Sequence, residues 1–347
     1  MLPRLMSPGD RAPNFALPDG TGEFRMLYNE VSGGPIVLYF FDNCSAGSQV
    51  EALQKLADPR LAEHNVHVFG VCVDKVESVA ALSETIGNGT LLLADLKGAI
   101  SQGYLKAAGV RAPAAFVLDP NQRVIAIACG SEPIEQAIEE VAALDLEGPG
   151  RLIGGMAPVL IVPNLLSPGF CGRLMETWDV GGHSEGTVEA STAAAGHHRN
   201  YGTKRRLDHF IEDPSLVREL AQALGPRIAP EVQKAFFFED FTFEQFRVGC
   251  YEADNAGFFK VHRDNVIGSV RNRRYAVSIN LNTGEYDGGD LRFPEYGPDL
   301  YRAPRGGGVL FSCSLLHEVV PVTAGRRFVL LSHLLTTKPG ATDPSAI

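Results

Sequence analysis

No stretch of this sequence approaches the roughly 20 consecutive apolar residues that a membrane-spanning helix needs, so no membrane partner is expected. The opening "MLPRLMSPGDRAPNF" lacks the apolar core of a secretory signal, which makes the cytoplasm the expected compartment. An excess of positive charge is also missing. The net charge is -10, and an acidic chain is repelled by nucleic acid and by anionic bilayers. No nucleic-acid partner is expected. The six cysteines (Cys44, Cys72, Cys129, Cys171, Cys250 and Cys313) form no CxxC and no zinc-type spacing. In a reducing compartment they read as free thiols, several of them buried in strands. There is no internal repeat and no long low-complexity tract.

What is present is ordinary globular composition, 45% hydrophobic and 21% charged over 347 residues, a length that suits two domains. Residues 1–148 alternate short apolar strands ("GPIVLYFFDN", "NVHVFGVCVD", "PAAFVLDPNQRVIAIACG") with helical spacings ("SQVEALQKLAD", "VESVAALSETI", "PIEQAIEEVAAL"). That alternation predicts a layered α/β domain. The Gly-rich "DLEGPGRLIGG" (145–155) marks the boundary. Residues 156–240 read as mainly helical, with a helix start at Ser167 and two further helical stretches in "DPSLVRELAQALGPRIAPEVQKAF". From about 240 to 337 short strands separated by Gly, Asn, Asp and Pro predict a β sandwich or barrel.

Within that β region, "FFKVHRDN" carries His262 and Asp264 two apart. On a strand such residues share a face. His317 follows 53 residues after Asp264, at the end of the apolar run "GVLFSCSLLH". Two imidazoles and one carboxylate on one side of a metal form the facial triad of non-haem Fe(II) oxygenases, with positions left open for co-substrate and O2. The absence of thiolate argues against structural zinc. Asp264 argues against a halogenase, which lacks the carboxylate. Arg326 and Arg327 follow His317 by nine and ten residues. A turn at "TAG" is expected to bring their strand back beside the His317 strand, so that one guanidinium can bind a carboxylate. Alternation puts Arg327, Val329 and Leu331 on one face and Arg326 and Phe328 on the other, without saying which is inner.

The segments "CYEADNAGFFKVHRDN", "YAVSINLNTGEYDGGDLRFPEYG" and "HEVVPVTAGRRFVLL" resemble the prolyl-hydroxylase branch of Fe(II)/2-oxoglutarate dioxygenases over residues 157 to 337. The resemblance implies a mainly β double-stranded β-helix, or jelly roll, with packing helices. It implies that His262, Asp264 and His317 bind Fe(II), and that Arg327 meets the far carboxylate of 2-oxoglutarate. It places Tyr251 in the co-substrate pocket and Asn280 where some relatives carry a co-substrate tyrosine. The implied reaction uses O2, with ascorbate as a possible further cofactor, and hydroxylates an unactivated C–H of a prolyl, other amino-acid, peptide or small-metabolite substrate while 2-oxoglutarate becomes succinate.

Residues 5–142, through "SPGDRAPNFALPDGTG" and "IVLYFFDNCSAGSQVEAL", resemble a peroxiredoxin of the alkyl hydroperoxide reductase/thiol-specific antioxidant type. This implies a thioredoxin-like fold. The family's nucleophilic cysteine is displaced: Ser48 stands at its expected position before Glu51, and Cys44 lies four residues earlier. The supporting arginine is not matched either, since Arg111 is offset, and Pro113 stands where a thioredoxin fold carries a cis-proline. The peroxidase site is therefore read as degenerate, with docking, substrate presentation or homodimerisation as the domain's expected role. A thiol peroxidase or redox sensor using Cys44, and a non-catalytic binding protein, are the alternative functions.

The remaining candidates have plainer readings. His333 is expected in a wall or core, and Asn265 at a strand end bonding backbone. His183 and "HH" (197–198) are expected in a solvated polar loop. "KRR" (204–206) is expected on a solvated face or paired with "IED" (211–213). "GGG" (306–308) is expected to supply a turn of unusual dihedrals and no phosphate cradle.

Overall fold

The computed structural model describes residues 5–44, 47–87, 89–144, 152–185, 188–189, 197–198, 202–266 and 270–336, without the side chains of 47–48, 188–189 and 197–198. Two compact units divide the chain, Met1–Gly150 and Arg151–Ile347.

The first unit is built on a five-stranded sheet. Its central strand Ile36–Phe41 lies between His67–Cys72 on one side and Ala114–Leu118 on the other; Leu91–Ala94 and Val124–Cys129 form the edges. Ile36–Phe41 runs parallel to His67–Cys72, and that strand parallel to Leu91–Ala94, while the other two pairings are antiparallel. The "IVLYFF" run is buried at all its positions because both faces are covered. Val37, Tyr39 and Phe41 pack with the helices Val76–Ile86 and Pro133–Ala142. Ile36, Leu38 and Phe40 pack with Tyr104 of the helix Ala99–Ala108 on the opposite face. A continuous apolar strand is what a doubly covered sheet requires. The Ala112–Pro113 peptide is cis, as the thioredoxin-fold position implies.

The second unit contains two many-stranded antiparallel sheets and a short two-stranded pair, Val188–Glu189 with His197–His198. The larger has nine strands. Its main path runs Val159–Val162, Gly308–Ser312, Arg273–Asn280, Val322–Thr336, Arg247–Glu252, Leu207–Phe210 and Ser184–Glu185, and Phe241–Phe243 and Tyr286–Gly288 join at Val322–Thr336. The smaller orders Lys204–Arg205, Phe258–His262, His317–Val319, Leu291–Arg292 and Leu300–Tyr301. Strand alternation divides the side chains of the larger sheet into two sets. Val248, Cys250, Val277, Leu310, Phe328 and Leu330 face Leu174, Trp178, Leu220, Leu224, Ile228 and Val232 of two helices. Tyr251, Ala276, Val309, Phe311 and Val329 face Leu291 and Val319 of the smaller sheet. Burying each Val, Leu, Ile or Phe side chain among them contributes about 1.5–3 kcal/mol.

Several expectations for residues 156–240 change. Ser167 does cap a helix, Pro168–Val180, by accepting from the Phe170 N–H at 3.2 Å. The two later helical stretches are one helix, Pro214–Phe236, which carries Pro226 and Pro230 inside it. Its apolar stripe (Leu220, Leu224, Ile228, Val232) buries against the large sheet, and that packing outweighs the two lost backbone bonds. The segment also supplies strands to both sheets, Lys204–Arg205 to the smaller and Leu207–Phe210 to the larger. His183 is exposed, as expected, and also stacks on Trp178 with ring centres 3.9 Å apart. His197 and His198 form a two-residue strand, and their side chains lie outside the described ones. Gly306 has φ +72, and a Cβ there would fall 2.1 Å from the Leu166 carbonyl oxygen; the glycine turn is real and serves close packing.

Candidate metal and co-substrate site

His262 and His317 are direct cross-strand partners in the smaller sheet, with ring centres 4.2 Å apart. Two positions differ from the sequence expectation. The Phe258–His262 strand ends at His262, so Asp264 lies in the turn beyond it, where its backbone N–H bonds the Cys313 carbonyl at 3.0 Å. His317 begins a strand, His317–Val319, and does not end the preceding one. The carboxylate still reaches both imidazoles. His262 Nε2 is 3.4 Å from Asp264 Oδ1, and His317 Nε2 is 3.6 Å from Asp264 Oδ2. One ligand atom from each of the three residues lies within 4.8 Å of the others.

The tautomers suit metal binding. His262 Nδ1 sits 2.7 Å from the Lys260 carbonyl, and His317 Nδ1 sits 3.0 Å from the Leu315 carbonyl. A carbonyl only accepts, so each Nδ1 carries the proton and each Nε2 presents a lone pair. Burial, reinforced by the neighbouring histidines, lowers the His317 pKa to about 4 against the pull of Asp264, keeping the ring neutral near pH 7. Burial alone would raise Asp264; His317, His262 and His333 outweigh it and hold the carboxyl well below its ordinary range.

Arg327 comes from the opposite sheet. The expected turn at "TAG" does not form: Thr323–Gly325 lie inside one strand, Val322–Thr336. The chain crosses from the smaller sheet to the larger at Val320–Pro321, between His317–Val319 and that strand. Gly325 (φ +70) accommodates the strand's path against Tyr286. Alternation resolves as Arg327 inward, 3% exposed, and Arg326 outward, 3.6 Å from Asp179. His262, Asp264, His317, Tyr251 and Arg327 all line one cavity of about 50 Å³. A larger cleft beside Pro230, Phe238, Phe241 and Phe243 holds none of these groups; the chemistry, and not the size, marks the site. Asn280 does not line the cavity. It stands behind Arg327 and accepts from Arg327 Nη2 at 2.9 Å.

Sequence reasoning missed much of the wall. In the "KRR" cluster Arg205 is exposed, as expected, but Lys204 and Arg206 are buried and meet Asp208, not "IED". Lys204, Arg206 and Asp208 are spaced by two, the spacing that puts strand residues on one face; that was the available clue. Arg206 donates to the Tyr251 hydroxyl at 3.1 Å. Burial, with repulsion from Arg206, lowers Lys204 to about 7. Arg247 also lines the cavity. His333 is a wall residue, as expected, and more: Nδ1 lies 2.5 Å from Glu244 Oε2 and Nε2 lies 3.4 Å from Asp264 Oδ2. Asn265 bonds the Ser314 hydroxyl at 2.8 Å, a side chain where backbone was expected.

The cavity suits an anionic co-substrate beside a metal. Arg327 Nε and Arg247 Nε are both buried without a hydrogen-bond partner. Such a donor is costly unless a ligand satisfies it.

Two family models match the chain. The 2OG-Fe(II) oxygenase superfamily matches residues 246–334, and the AhpC/TSA family matches residues 8–127. The chain joins an AhpC/TSA-type domain to a 2OG-Fe(II) oxygenase-type domain. The oxygenase-type domain is 34% identical over 128 residues to a PKHD-type hydroxylase of Stutzerimonas stutzeri, covering 34% of this chain and 55% of the relative. A PKHD-type hydroxylase of a Synechococcus species is 31% identical over 91 residues, 24% of this chain and 40% of the relative. The chain thus spans about half the length of these curated relatives. Among solved structures, the oxygenase-type domain is similar to the viral collagen prolyl hydroxylase of Paramecium Bursaria Chlorella virus-1, with TM-score 0.38, 13% identity, and coverage of 52% of this chain and 96% of that one. The AhpC/TSA-type domain is similar to the peroxidoxin BcpB of Mycobacterium tuberculosis, with TM-score 0.36, 24% identity, and coverage of 41% and 99%.

Proposed function

We propose that the oxygenase-type domain is a 2-oxoglutarate-dependent dioxygenase that holds Fe(II) on His262, Asp264 and His317 and hydroxylates an unactivated C–H of a prolyl, other amino-acid, peptide or small-metabolite substrate. The observation that carries this reading is the convergence of the three ligand atoms within 4.8 Å in a cavity that also holds Arg327. When bound, Fe(II) with 2-oxoglutarate and O2 supplies the oxidising chemistry, and 2-oxoglutarate leaves as succinate and CO2.

The protein's own contribution is placement. The Lys260 and Leu315 carbonyls keep Nε2 of each histidine available. His333, held by Glu244, orients the Asp264 carboxylate. Arg327 offers its fork to the distal carboxylate of 2-oxoglutarate, with Asn280 fixing the guanidinium from behind. Tyr251, its ring beneath the Arg206 and Arg327 guanidinium groups, closes the pocket wall and limits water.

The test is succinate formation from 2-oxoglutarate with Fe(II) and O2, first without added substrate and then across prolyl peptides and free amino acids. Turnover in the wild type that is lost in His262→Ala supports the proposal. Absence of turnover across the panel, in protein that binds no iron, defeats it and favours a non-catalytic binding role.

A further inference from the structure

We propose that Cys44 and Cys72 form a reversible disulfide, making the AhpC/TSA-type domain the carrier of a two-electron thiol couple. The inference stands apart from the oxygenase reading. It rests on how the sheet brings two cysteines together that are 28 residues apart in sequence. Ile36–Phe41 and His67–Cys72 are parallel neighbours, and Phe41 is in register with Cys72. Both strands therefore finish at the same end of the sheet. Cys72 is the last residue of its strand, and the chain leaving Phe41 passes through Asp42 and Asn43 to Cys44. The two Sγ atoms are 2.8 Å apart. The Cys44 backbone N–H bonds Asp74 Oδ2 at 3.3 Å, which holds the Cys44 loop against the chain just after Cys72.

Asp74 also lies in this cluster, but a metal site fits it poorly. Two thiolates on one tetrahedral zinc stand roughly 3.8 Å apart, given Zn–S of about 2.3 Å. The observed sulfurs are closer than that and touch each other directly. Exposure gives the two thiols different roles. Cys44 is partly exposed and Cys72 is fully buried. The hydrogen bond from Cys72 lowers the Cys44 pKa against burial and the Asp74 charge. The same bond, with burial, raises Cys72. Exposure makes Cys44 the attacking thiol, and burial makes Cys72 the resolving one.

With a small disulfide RSSR as oxidant, the exchange balances in two steps. The Cys44 thiolate attacks one sulfur of RSSR, forming Cys44–S–S–R and releasing RS⁻. With the Cys44 charge gone, the main cause holding the Cys72 proton is gone too. Cys72 gives up that proton, attacks Cys44 Sγ and expels the second RS⁻. The two protein protons end on two RSH, the two cysteines are oxidised by two electrons, and RSSR is reduced by two.

The experiment uses the full chain in a Cys129→Ser background, which removes the exposed cysteine. Protein is incubated with oxidised glutathione, quenched in acid, alkylated, and mapped by mass spectrometry without reduction. The expected result is a loss of two free thiols, one peptide linking Cys44 to Cys72, and recovery of both thiols on treatment with dithiothreitol. Cys72→Ser should instead accumulate Cys44 as a stable glutathione adduct. Retention of all thiols overturns the proposal. So does accumulation of the glutathione adduct on Cys44 in protein that still has Cys72, a result that does not depend on how the variant folds.

Discussion

Asn280 Oδ1 accepts a hydrogen bond of 2.9 Å from Arg327 Nη2, with both side chains buried. Asn280 also donates to the Ala303 carbonyl at 3.0 Å, so the amide is pinned from one side and aims the guanidinium from the other. The resemblance placed Asn280 among the co-substrate contacts; the geometry makes it a positioning residue for Arg327. A hydrogen bond to a charged group contributes about 1.5–3 kcal/mol. Asn280→Ala should therefore raise KM for 2-oxoglutarate roughly tenfold or more while kcat changes little. Succinate formation against 2-oxoglutarate concentration checks it. An unchanged KM would remove Asn280 from the account.

Glu244 bonds both His333 and Arg273. Burial pushes its pKa up, but these two partners outweigh burial and lower it from 4.5 to about 2. A carboxyl whose folded pKa lies below its unfolded value stabilises the fold fully above pH 4.5, and the contribution disappears as pH falls to about 2. The shift corresponds to about 3 kcal/mol. Glu244→Gln should destabilise the metal-free protein at pH 7 and flatten its acid limb between pH 4.5 and 2. Fluorescence of Trp178, the single tryptophan, follows the unfolding of its own unit. Parallel acid limbs for wild type and variant would contradict the assignment.

Asp208 is the carboxylate that compensates buried Arg206 and Lys204. Burial would raise its pKa, and the two cations outweigh that and hold it low. Removing one partner strands a buried charge, which typically costs about 3–5 kcal/mol. Asp208→Asn should lower the urea midpoint of the same fluorescence transition accordingly. Replacing Arg206 and Asp208 together by Met and Leu should cost less than Asp208→Asn alone. If the single change were the milder of the two, the buried pair would not be acting as described.

The legible parts of this molecule were those written as local pattern. His262, Asp264 and His317 stood out because imidazole and carboxylate are unusual among apolar strand residues. The alternation around Arg327 reduced its partner face to two options. The sheet in the first unit was legible because "IVLYFF" has no polar position to leave exposed. What was not legible depended on pairing between distant segments. Thr323–Gly325 looked like a turn, yet pairing with Tyr286–Gly288 keeps it within a strand. Pro226 and Pro230 suggested a break in a helix that tertiary packing sustains. "KRRLD" looked like surface charge until Asp208 and the Tyr251 hydroxyl supplied its partners. Cys72 has no local feature at all; only strand order puts it against Cys44.

The proposed function depends on one ferrous ion held by His262 and His317 from the two sides of a strand pair and by Asp264 from the turn beside it. Anaerobic titration of the metal-free protein with Fe(II), followed by 2-oxoglutarate, tests it most directly. The expected result is one Fe(II) per chain and a visible charge-transfer band on adding 2-oxoglutarate, with both lost in Asp264→Ala and the band alone weakened in Arg327→Ala. Equal iron binding by wild type, His262→Ala and Asp264→Ala would contradict it.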